Sequence, residues 1–140
     1  MQTNHQETLP DVQHTVVMNA PIQKVWDTVT TSEGIAAWFM PNTFVPGLGQ
    51  EFTLTSQFGV SQCKVTEFDP PNRMKFTWDE DWVITFELQE ADGKTQFTLT
   101  HGGWQAGKLR HGMPDEKIRE IMGHGWEAQV LPALVKFVEA

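Results

Sequence analysis

The C-terminal stretch of the chain, residues 115–140, places the strongest constraint on the fold, because its apolar residues repeat at helical spacing. One such residue stands at every fourth position: Ile118, Met122, Trp126, Val130, Leu134 and Val138. This spacing predicts a long amphipathic helix with Ala133 and Phe137 on the same face. Because the row drifts by about 40° per step, the helix should contact more than one surface. The upstream chain must supply those surfaces.

Pro132 lies within this predicted helix and has no backbone N–H to donate. Helical geometry places it near the outer face, beside Ala128 and Glu139, where the unpaired carbonyl can be hydrated. Proline is a common cause of helix kinks. We therefore expect the helix to bend at Pro132 and the bend to set the volume of any cavity beneath it.

Six upstream stretches alternate apolar and polar residues, which predicts strands. In the first, residues 12–18, Val12, Val16 and Met18 share one side with His14. The others are predicted at 50–56, 58–67, 73–79, 82–90 and 94–101. Short connections between them favour an antiparallel meander. One face of this sheet should be apolar, formed by Phe52, Leu54, Cys63, Val65, Met74, Phe76, Trp78, Trp82, Ile84, Phe86, Leu88, Phe97 and Leu99.

Residues 19–39 switch to helical spacing directly after the first strand. Pro21 suits the first turn of one short helix, and Thr31 or Ser32 can cap a second helix that ends before Pro41. The residues thus predict an α+β domain with a six-stranded antiparallel sheet, two short helices after its first strand and a long C-terminal helix. The glycine-rich run 101–113 has no periodicity and is predicted to be a loop, long enough to be a candidate lid.

The length, charge and hydropathy of the chain indicate how many domains it forms and which partners it can have. A chain of 140 residues fits one domain, predicted at residues 11–140 after a flexible N-terminus at 1–10. A formal charge of −8 with few, scattered Lys and Arg residues argues against nucleic acid as a partner. No apolar run approaches the roughly 18 residues that span a bilayer, and no signal peptide is recognisable, so we expect a cytoplasmic protein without membrane insertion.

Catalytic and metal-binding motifs do not emerge from the sequence. His101, His111 and His124 have no metal-ligand spacing, and the single cysteine, Cys63, alternates into the apolar face. No phosphate-binding glycine loop or nucleophile motif is present. We therefore predict no metal, no cofactor and no catalytic motif, a buried thiol at Cys63, and for His14 a structural role with a hydrogen-bonded ring.

The aromatic content is the unusual part of the composition, with six Trp and nine Phe residues but no Tyr. Such rings can fill a core or line an apolar pocket between a curved sheet and a helix. Taken singly, each ring is more often a core residue. The candidate ligand-binding residues around that space are Trp38, Phe39, Trp78, Trp82, Phe86, Trp104, Trp126 and Val130.

Three segments resemble a known family. NAPIQKVWDTVTTSEGIAAWF at 19–39 is similar to the opening helical signature of the START-like, or SRPBCC, superfamily. FTLTHGGW at 97–104 and HGWEAQVLPAL at 124–134 resemble the branch named after the activator of the heat-shock-protein-90 ATPase. The resemblance implies a helix-grip fold, in which a curved antiparallel sheet wraps around the C-terminal helix and encloses a hydrophobic cavity. Relatives bind lipids, sterols or polyketides there, and a few act as cyclases or aromatase-like enzymes.

Three functions remain open from the sequence. The first is binding of a small hydrophobic molecule, lipid-like or aromatic, between the sheet and the helix. The second is an enzyme acting on such a molecule, for which His101 and Glu127 at the cavity mouth are the candidate acid or base. The third is a chaperone-related or regulatory interaction module. Fold alone does not choose among them.

Overall fold

The computed structural model describes residues 8–140 and shows an α+β domain. Its strands are β1 (Val12–Met18), β2 (Glu51–Ser56), β3 (Gly59–Asp69), β4 (Arg73–Trp78), β5 (Trp82–Ala91), β6 (Lys94–Gly102), β7 (Leu109–Arg110) and β8 (Met113–Pro114). Its helices are α1 (Ile22–Val29), α2 (Ser32–Trp38), α3 (Asp115–Gly125) and α4 (Leu131–Glu139), with a π-helical turn at Trp126–Val130 between the last two.

The main sheet has six strands in the order β1-β6-β5-β4-β3-β2, all antiparallel. Five consecutive strands form the predicted meander, and β1 adds to its far edge beside β6. A β-bulge shifts the register of β3 between Val65 and Glu67, which increases the local twist. The predicted sheet and its order of elements are confirmed.

One face of this sheet is buried as predicted from the alternation. Every residue assigned to the apolar face is less than a tenth exposed and belongs to a single core cluster. The opposite face carries polar pairs such as Thr15 and Thr98, whose hydroxyl groups lie 2.9 Å apart. The helices cover the apolar face, which is the helix-grip arrangement.

The two short helices follow β1 at the predicted positions. Thr31 caps α2, and its hydroxyl oxygen accepts a hydrogen bond from the Gly34 amide at 3.1 Å. Phe39 follows directly as the C-terminal cap of α2, with backbone angles outside the helical region. The helix therefore ends just before a large aromatic side chain.

The C-terminal helix is irregular at its centre. The Leu131 amide donates to the Trp126 carbonyl, five residues back, whereas an α-helix joins residues four apart. Pro132 lies immediately after this turn on the exposed side, and its missing N–H removes the next α-helical hydrogen bond. The distortion expected near Pro132 is thus a π-helical turn just before it.

This turn changes which side chains face the sheet. The extra residue moves the buried row from Trp126 to Leu131, and Leu134 and Val138 continue it. Val130 is only partly buried, and Phe137 is 46% exposed. The prediction that Phe137 packs on the inner face is wrong, because it assumed uninterrupted α-helical geometry.

The predicted loop at 101–113 contains more structure than the sequence indicated. Strand β6 continues through Gly102, and β7 and β8 form a two-stranded hairpin just before α3. The first described residues of the chain pair with this region. Thr8 forms an isolated antiparallel β-bridge with Gln105, and the Leu9 amide donates to the Trp104 carbonyl at 3.0 Å. The predicted flexibility of residues 1–7 falls outside the described residues.

No helix within residues 8–140 is long and apolar enough to cross a membrane.

Candidate ligand-binding site

The structure brings all seven predicted aromatic residues into one connected cluster between the sheet and the terminal helix. Trp38, Trp78, Trp82, Phe86, Trp104 and Trp126 are each less than a tenth exposed. Trp38 contacts Phe86 at 5.8 Å between ring centroids, and Trp82 contacts both Trp78 at 5.1 Å and Trp104 at 4.9 Å. Val130, the eighth predicted residue, packs on the edge of the core. The seven rings together form the aromatic cluster.

Phe39 occupies the centre of the aromatic cluster. Its ring centroid lies 4.9 Å from that of Trp126 on the helix and 5.6 Å from that of Trp78 on the sheet. The Trp38 ring stacks on it at 5.6 Å. Phe39 is only partly buried, so one ring that reaches solvent fills the interval between the two aromatic walls.

His101 lies at the centre of the sheet side of the cluster and is fully buried. Its imidazole stacks on Trp78 at 5.7 Å and meets Trp82 edge-on at 4.8 Å. Burial lowers the pKa of His101 from 6.5 to about 3, and the positive charge of Arg110 adds to the effect. The imidazole is therefore neutral at pH 7.

Two tryptophans hold His101 through hydrogen bonds. The Trp126 indole N–H donates to His101 Nδ1 at 3.0 Å, and the Trp104 indole N–H donates to the His101 backbone carbonyl at 2.9 Å. Since Nδ1 accepts a hydrogen bond, the proton of the neutral ring is on Nε2. The helix thus fixes both the position and the tautomer of this histidine.

Four buried nitrogen atoms of the aromatic cluster and of His101, which packs against it, have no hydrogen-bond partner among residues 8–140: Nε1 of Trp38, Trp78 and Trp82, and Nε2 of His101. Buried polar atoms of proteins are almost always paired, and each unpaired one costs about 1–3 kcal/mol. Four unpaired nitrogen atoms so close together therefore distinguish the aromatic cluster from an ordinary apolar core.

A buried ion network closes the cluster on the side of the β7–β8 hairpin. The Asp115 carboxylate is fully buried and accepts from Arg110 Nε at 2.6 Å and from the Gln105 amide at 2.9 Å. Arg110 also donates to Asp81 at 3.2 Å and lies over the Trp82 ring, 4.7 Å from its centroid. Lys108 forms a further ion pair with Asp81. These contacts hold the hairpin against the aromatic cluster.

The glycine before Trp104 is required by this arrangement. Gly103 has a φ of +94°, and a Cβ atom there would lie 2.0 Å from the Asp81 carbonyl oxygen. Only glycine lets the chain pass so close to the start of β5. Gly103 thus allows Trp104 to reach the cluster beside Trp82.

The structure separates the two residues proposed as acid or base. His101 is fully buried rather than at a cavity mouth, and its lowered pKa and protonated Nε2 make it a poor general base at pH 7. Glu127 is exposed and lines a surface groove of about 470 Å³ together with Asp11, His14 and Arg119. The placement of both residues at one cavity mouth is therefore wrong, because Glu127 points to the outer side of the helix.

The remaining polar candidates occupy structural positions. His14 Nε2 donates a hydrogen bond of 3.1 Å to the Gly123 carbonyl, and His124 is exposed on α3. Burial, together with the negative charge of Asp79, raises the pKa of the Cys63 thiol to about 12. Within residues 8–140, no three His, Cys, Asp or Glu side chains come together in a way that could hold a metal ion.

Arg110 and Asp115 were not recognised from the sequence as part of the site. Asp115 stands where an acidic residue commonly begins a helix, and Arg110 is one of two cations in a glycine-rich loop. The only feature of the sequence that connects Arg110 with Asp115 is their spacing of five residues, with the helix beginning at Asp115. It did not indicate burial, which depends on how the hairpin folds back.

The comparisons identify what the chain is similar to. Residues 19–139 match the family described as Activator of Hsp90 ATPase homolog 1-like protein. The solution structure of protein BH1534 from Bacillus halodurans is 41% identical, with a TM-score of 0.86, and the match covers 94% of this chain and 99% of that one. The comparison with curated proteins found no match.

Two further solved structures share the fold at lower identity. The Aha1 dimer from Colwellia psychrerythraea is 17% identical with a TM-score of 0.77, covering 94% of this chain and 97% of that one. DynU16, a protein in the dynemicin biosynthetic locus, is 19% identical with a TM-score of 0.76, covering 93% of this chain and 47% of that one. The family match extends from the first helix to the last, so the chain belongs to the family of Activator of Hsp90 ATPase homolog 1-like proteins.

Proposed function

We propose that this protein binds a small, flat hydrophobic molecule in the aromatic cluster, at the position that the Phe39 ring occupies in this structure. The observation that carries the proposal is that a partly exposed ring stands between the buried indoles of the sheet and of the helix. Phe39 is the C-terminal cap of α2: its amide still donates to the Ile35 carbonyl at 2.8 Å, but its backbone angles lie outside the helical region and no helical residue follows it. Its side chain can therefore move without unfolding the helix.

Replacement of the Phe39 ring by an aromatic ligand is energetically favourable. A ligand with two fused rings would regain the contacts that Phe39 makes with Trp38, Trp78 and Trp126. Burial of apolar ligand surface contributes about 25 cal/mol per Å², and each aromatic pair adds about 0.5–1.5 kcal/mol. Exposure of Phe39 offsets part of this gain, so we expect affinities in the micromolar range.

The comparisons support this proposal at the level of the fold. DynU16 is described as a protein in the dynemicin biosynthetic locus, and its similarity extends over 93% of this chain. At 19% identity that likeness concerns the fold, not the ligand. The aromatic cluster supplies the argument for a ligand in this chain.

The test is a titration of the purified protein with quercetin, a fluorescent fatty acid and cholesterol, followed by tryptophan fluorescence. We expect saturable quenching with the flat aromatic quercetin. Trp126→Ala removes one wall and should weaken binding, whereas Phe39→Ala removes the competing ring and should strengthen it. Trp26→Phe is the matched control, because Trp26 is buried against Phe68 outside the cluster. Absence of saturable binding for all three compounds, in the native chain and in Phe39→Ala, would remove the proposal.

A second candidate function, self-association, is favoured by one observation. Phe58 is 71% exposed at the β2–β3 turn and stacks on His111 of the β7–β8 hairpin, where Leu109 is 64% exposed. Exposed apolar side chains on neighbouring hairpins are typical of contact surfaces. Sedimentation velocity over a range of concentrations tests this. A dimer that is lost in Phe58→Ser supports it, and a monomer at every concentration removes it.

A further inference from the structure

We infer that the molecule bound in the aromatic cluster is an aromatic carbonyl compound, recognised through its hydrogen-bond acceptor oxygen by buried indole and imidazole N–H groups. This inference rests on the proposed function and specifies the chemistry of its ligand. It follows from the kind of polar atom that the cluster leaves unpaired, which can be worked out for each of the four nitrogens.

All four unpaired nitrogens are donors. An indole nitrogen carries a hydrogen and has no lone pair with which to accept. The unpaired Nε1 atoms of Trp38, Trp78 and Trp82 are therefore donors. His101 could in principle expose either kind of nitrogen. Because its Nδ1 accepts the Trp126 hydrogen bond, its Nε2 carries the hydrogen and is also a donor. The cluster therefore presents N–H groups and no unpaired acceptor among these atoms.

These donors surround the position proposed for the ligand. The Trp38 and Trp78 rings both contact Phe39, each at 5.6 Å. The Trp82 and His101 rings contact Trp78 at 5.1 and 5.7 Å. A ligand that takes the place of Phe39 thus contacts the two rings that carry the unpaired N–H groups of Trp38 and Trp78, and the rings that carry the other two are one ring further away.

The other two indoles of the aromatic cluster have hydrogen-bond partners. Trp104 and Trp126 donate to the carbonyl and to the Nδ1 of His101. Edge-on neighbours, such as Trp78 and Trp82, offer ring faces to an N–H group, but ring faces are weak acceptors. A carbonyl oxygen has two lone pairs and can accept from two donors at once. A carbonyl group bound in the aromatic cluster would therefore give the unpaired N–H groups a partner and reduce the free-energy cost of burying them.

The alternative ligand chemistries fit less well. A ligand whose only buried polar group is an N–H would add a further donor to a place where donors are already unpaired, and a hydroxyl group can accept but also brings one more donor. A carboxylate would supply acceptors, but an isolated buried anion carries a large desolvation cost, and the chain already has a net charge of −8. A neutral carbonyl on a flat ring system satisfies the donors without that cost.

The experiment compares two ligands of the same shape, 2-acetylnaphthalene and 2-isopropenylnaphthalene, which differ in a carbonyl oxygen against a methylene group. Binding to the full chain is measured by isothermal titration calorimetry. We expect the ketone to bind about tenfold more tightly, because the alkene leaves the buried donors unpaired. Trp78→Phe should reduce that ratio, Trp38→Phe provides a second variant if Trp78→Phe does not fold, and Trp26→Phe should preserve the ratio.

The outcomes separate this inference from the proposed function. Equal affinities for ketone and alkene, or tighter binding of the alkene, would overturn the acceptor inference while the proposed function stands. A ratio that survives unchanged in both folded variants, Trp78→Phe and Trp38→Phe, would also overturn it. If neither compound binds, the inference is overturned. The proposed function is refuted with it only if quercetin, the fatty acid and cholesterol also fail to bind the native chain and Phe39→Ala.

Discussion

Trp126 donates its indole N–H to Nδ1 of His101 across 3.0 Å, and this bond joins the C-terminal helix to the sheet at β6. Both side chains are almost completely buried. Burial keeps the imidazole neutral, and the hydrogen bond holds it in one tautomer, with the proton on Nε2. One contact between two elements far apart in sequence thus determines the polarity of the site.

Trp126→Phe should destabilise the protein by about 1–3 kcal/mol beyond the loss of packing, because it leaves a buried acceptor at His101 Nδ1 unpaired. The measurement is the free energy of unfolding in urea. Trp26→Phe, in a similarly buried tryptophan packed on Phe68, measures the packing loss alone. Equal destabilisation by the two substitutions would show that the bond to His101 contributes nothing.

Stability should fall as the pH decreases from about 6.5 towards about 3, because burial lowers the pKa of His101 from 6.5 to about 3. Between these values the unfolded chain binds a proton that the folded chain does not, so the unfolded state is favoured progressively. The stability that the neutral His101 contributes is fully present above pH 6.5. Below that pH, His101 lowers the free energy of unfolding by at most about 1.4 kcal/mol per pH unit.

His101→Phe removes this titration and leaves the carboxylates and the other histidines in place. Its free energy of unfolding should therefore depend less steeply on pH between 6.5 and 4.5 than that of the native chain. Parallel curves for the two proteins over that interval would show that His101 is not buried as a neutral ring.

Leu131→Ala should cost about 2–4 kcal/mol in unfolding free energy, since this side chain is 1% exposed in the row that the π-helical turn creates. Phe137→Ala should cost less than half as much, because 46% of Phe137 is exposed. The comparison tests the register of the helix by urea denaturation. A larger loss for Phe137→Ala would indicate an uninterrupted α-helix with Phe137 facing the sheet.

Arg110→Met should destabilise the protein by about 3–5 kcal/mol, because it leaves the fully buried Asp115 carboxylate without its guanidinium partner. Amide hydrogen exchange should rise in the β7–β8 hairpin at the same time. Lys117→Met, at an exposed site on α3, is the control. Adding Asp115→Asn to Arg110→Met should recover part of the loss, and a purely additive double variant would argue against a buried ion pair.

The sheet could be predicted from the sequence because its signals are local. Alternation in residues such as Phe76 and Trp78 marks the buried face, and charged or glycine-containing turns mark the strand ends. Apolar spacing likewise located the C-terminal helix. Boundaries between these elements shifted by only one or two residues.

The site could be predicted only as a set of residues. Periodicity indicated that Trp78 and Trp126 face inwards, but it does not report that Trp126 hydrogen-bonds His101 or that Phe39 lies between the two walls. Those contacts depend on the angle at which the helix crosses the sheet. The π-helical turn is similarly hidden, because the same residues also fit an uninterrupted α-helical row, which would place Phe137 on the inner face.

The most direct test of the account is the nuclear magnetic resonance spectrum of the ¹⁵N-labelled indole groups during titration with 2-acetylnaphthalene. Six tryptophans give six indole signals, which single Trp→Phe substitutions assign. We expect the N–H signals of Trp38 and Trp78 to move downfield saturably as they acquire an acceptor, while the signal of Trp26 stays in place. A titration in which the Trp38 and Trp78 signals do not move, or move no more than that of Trp26, would contradict binding in the aromatic cluster.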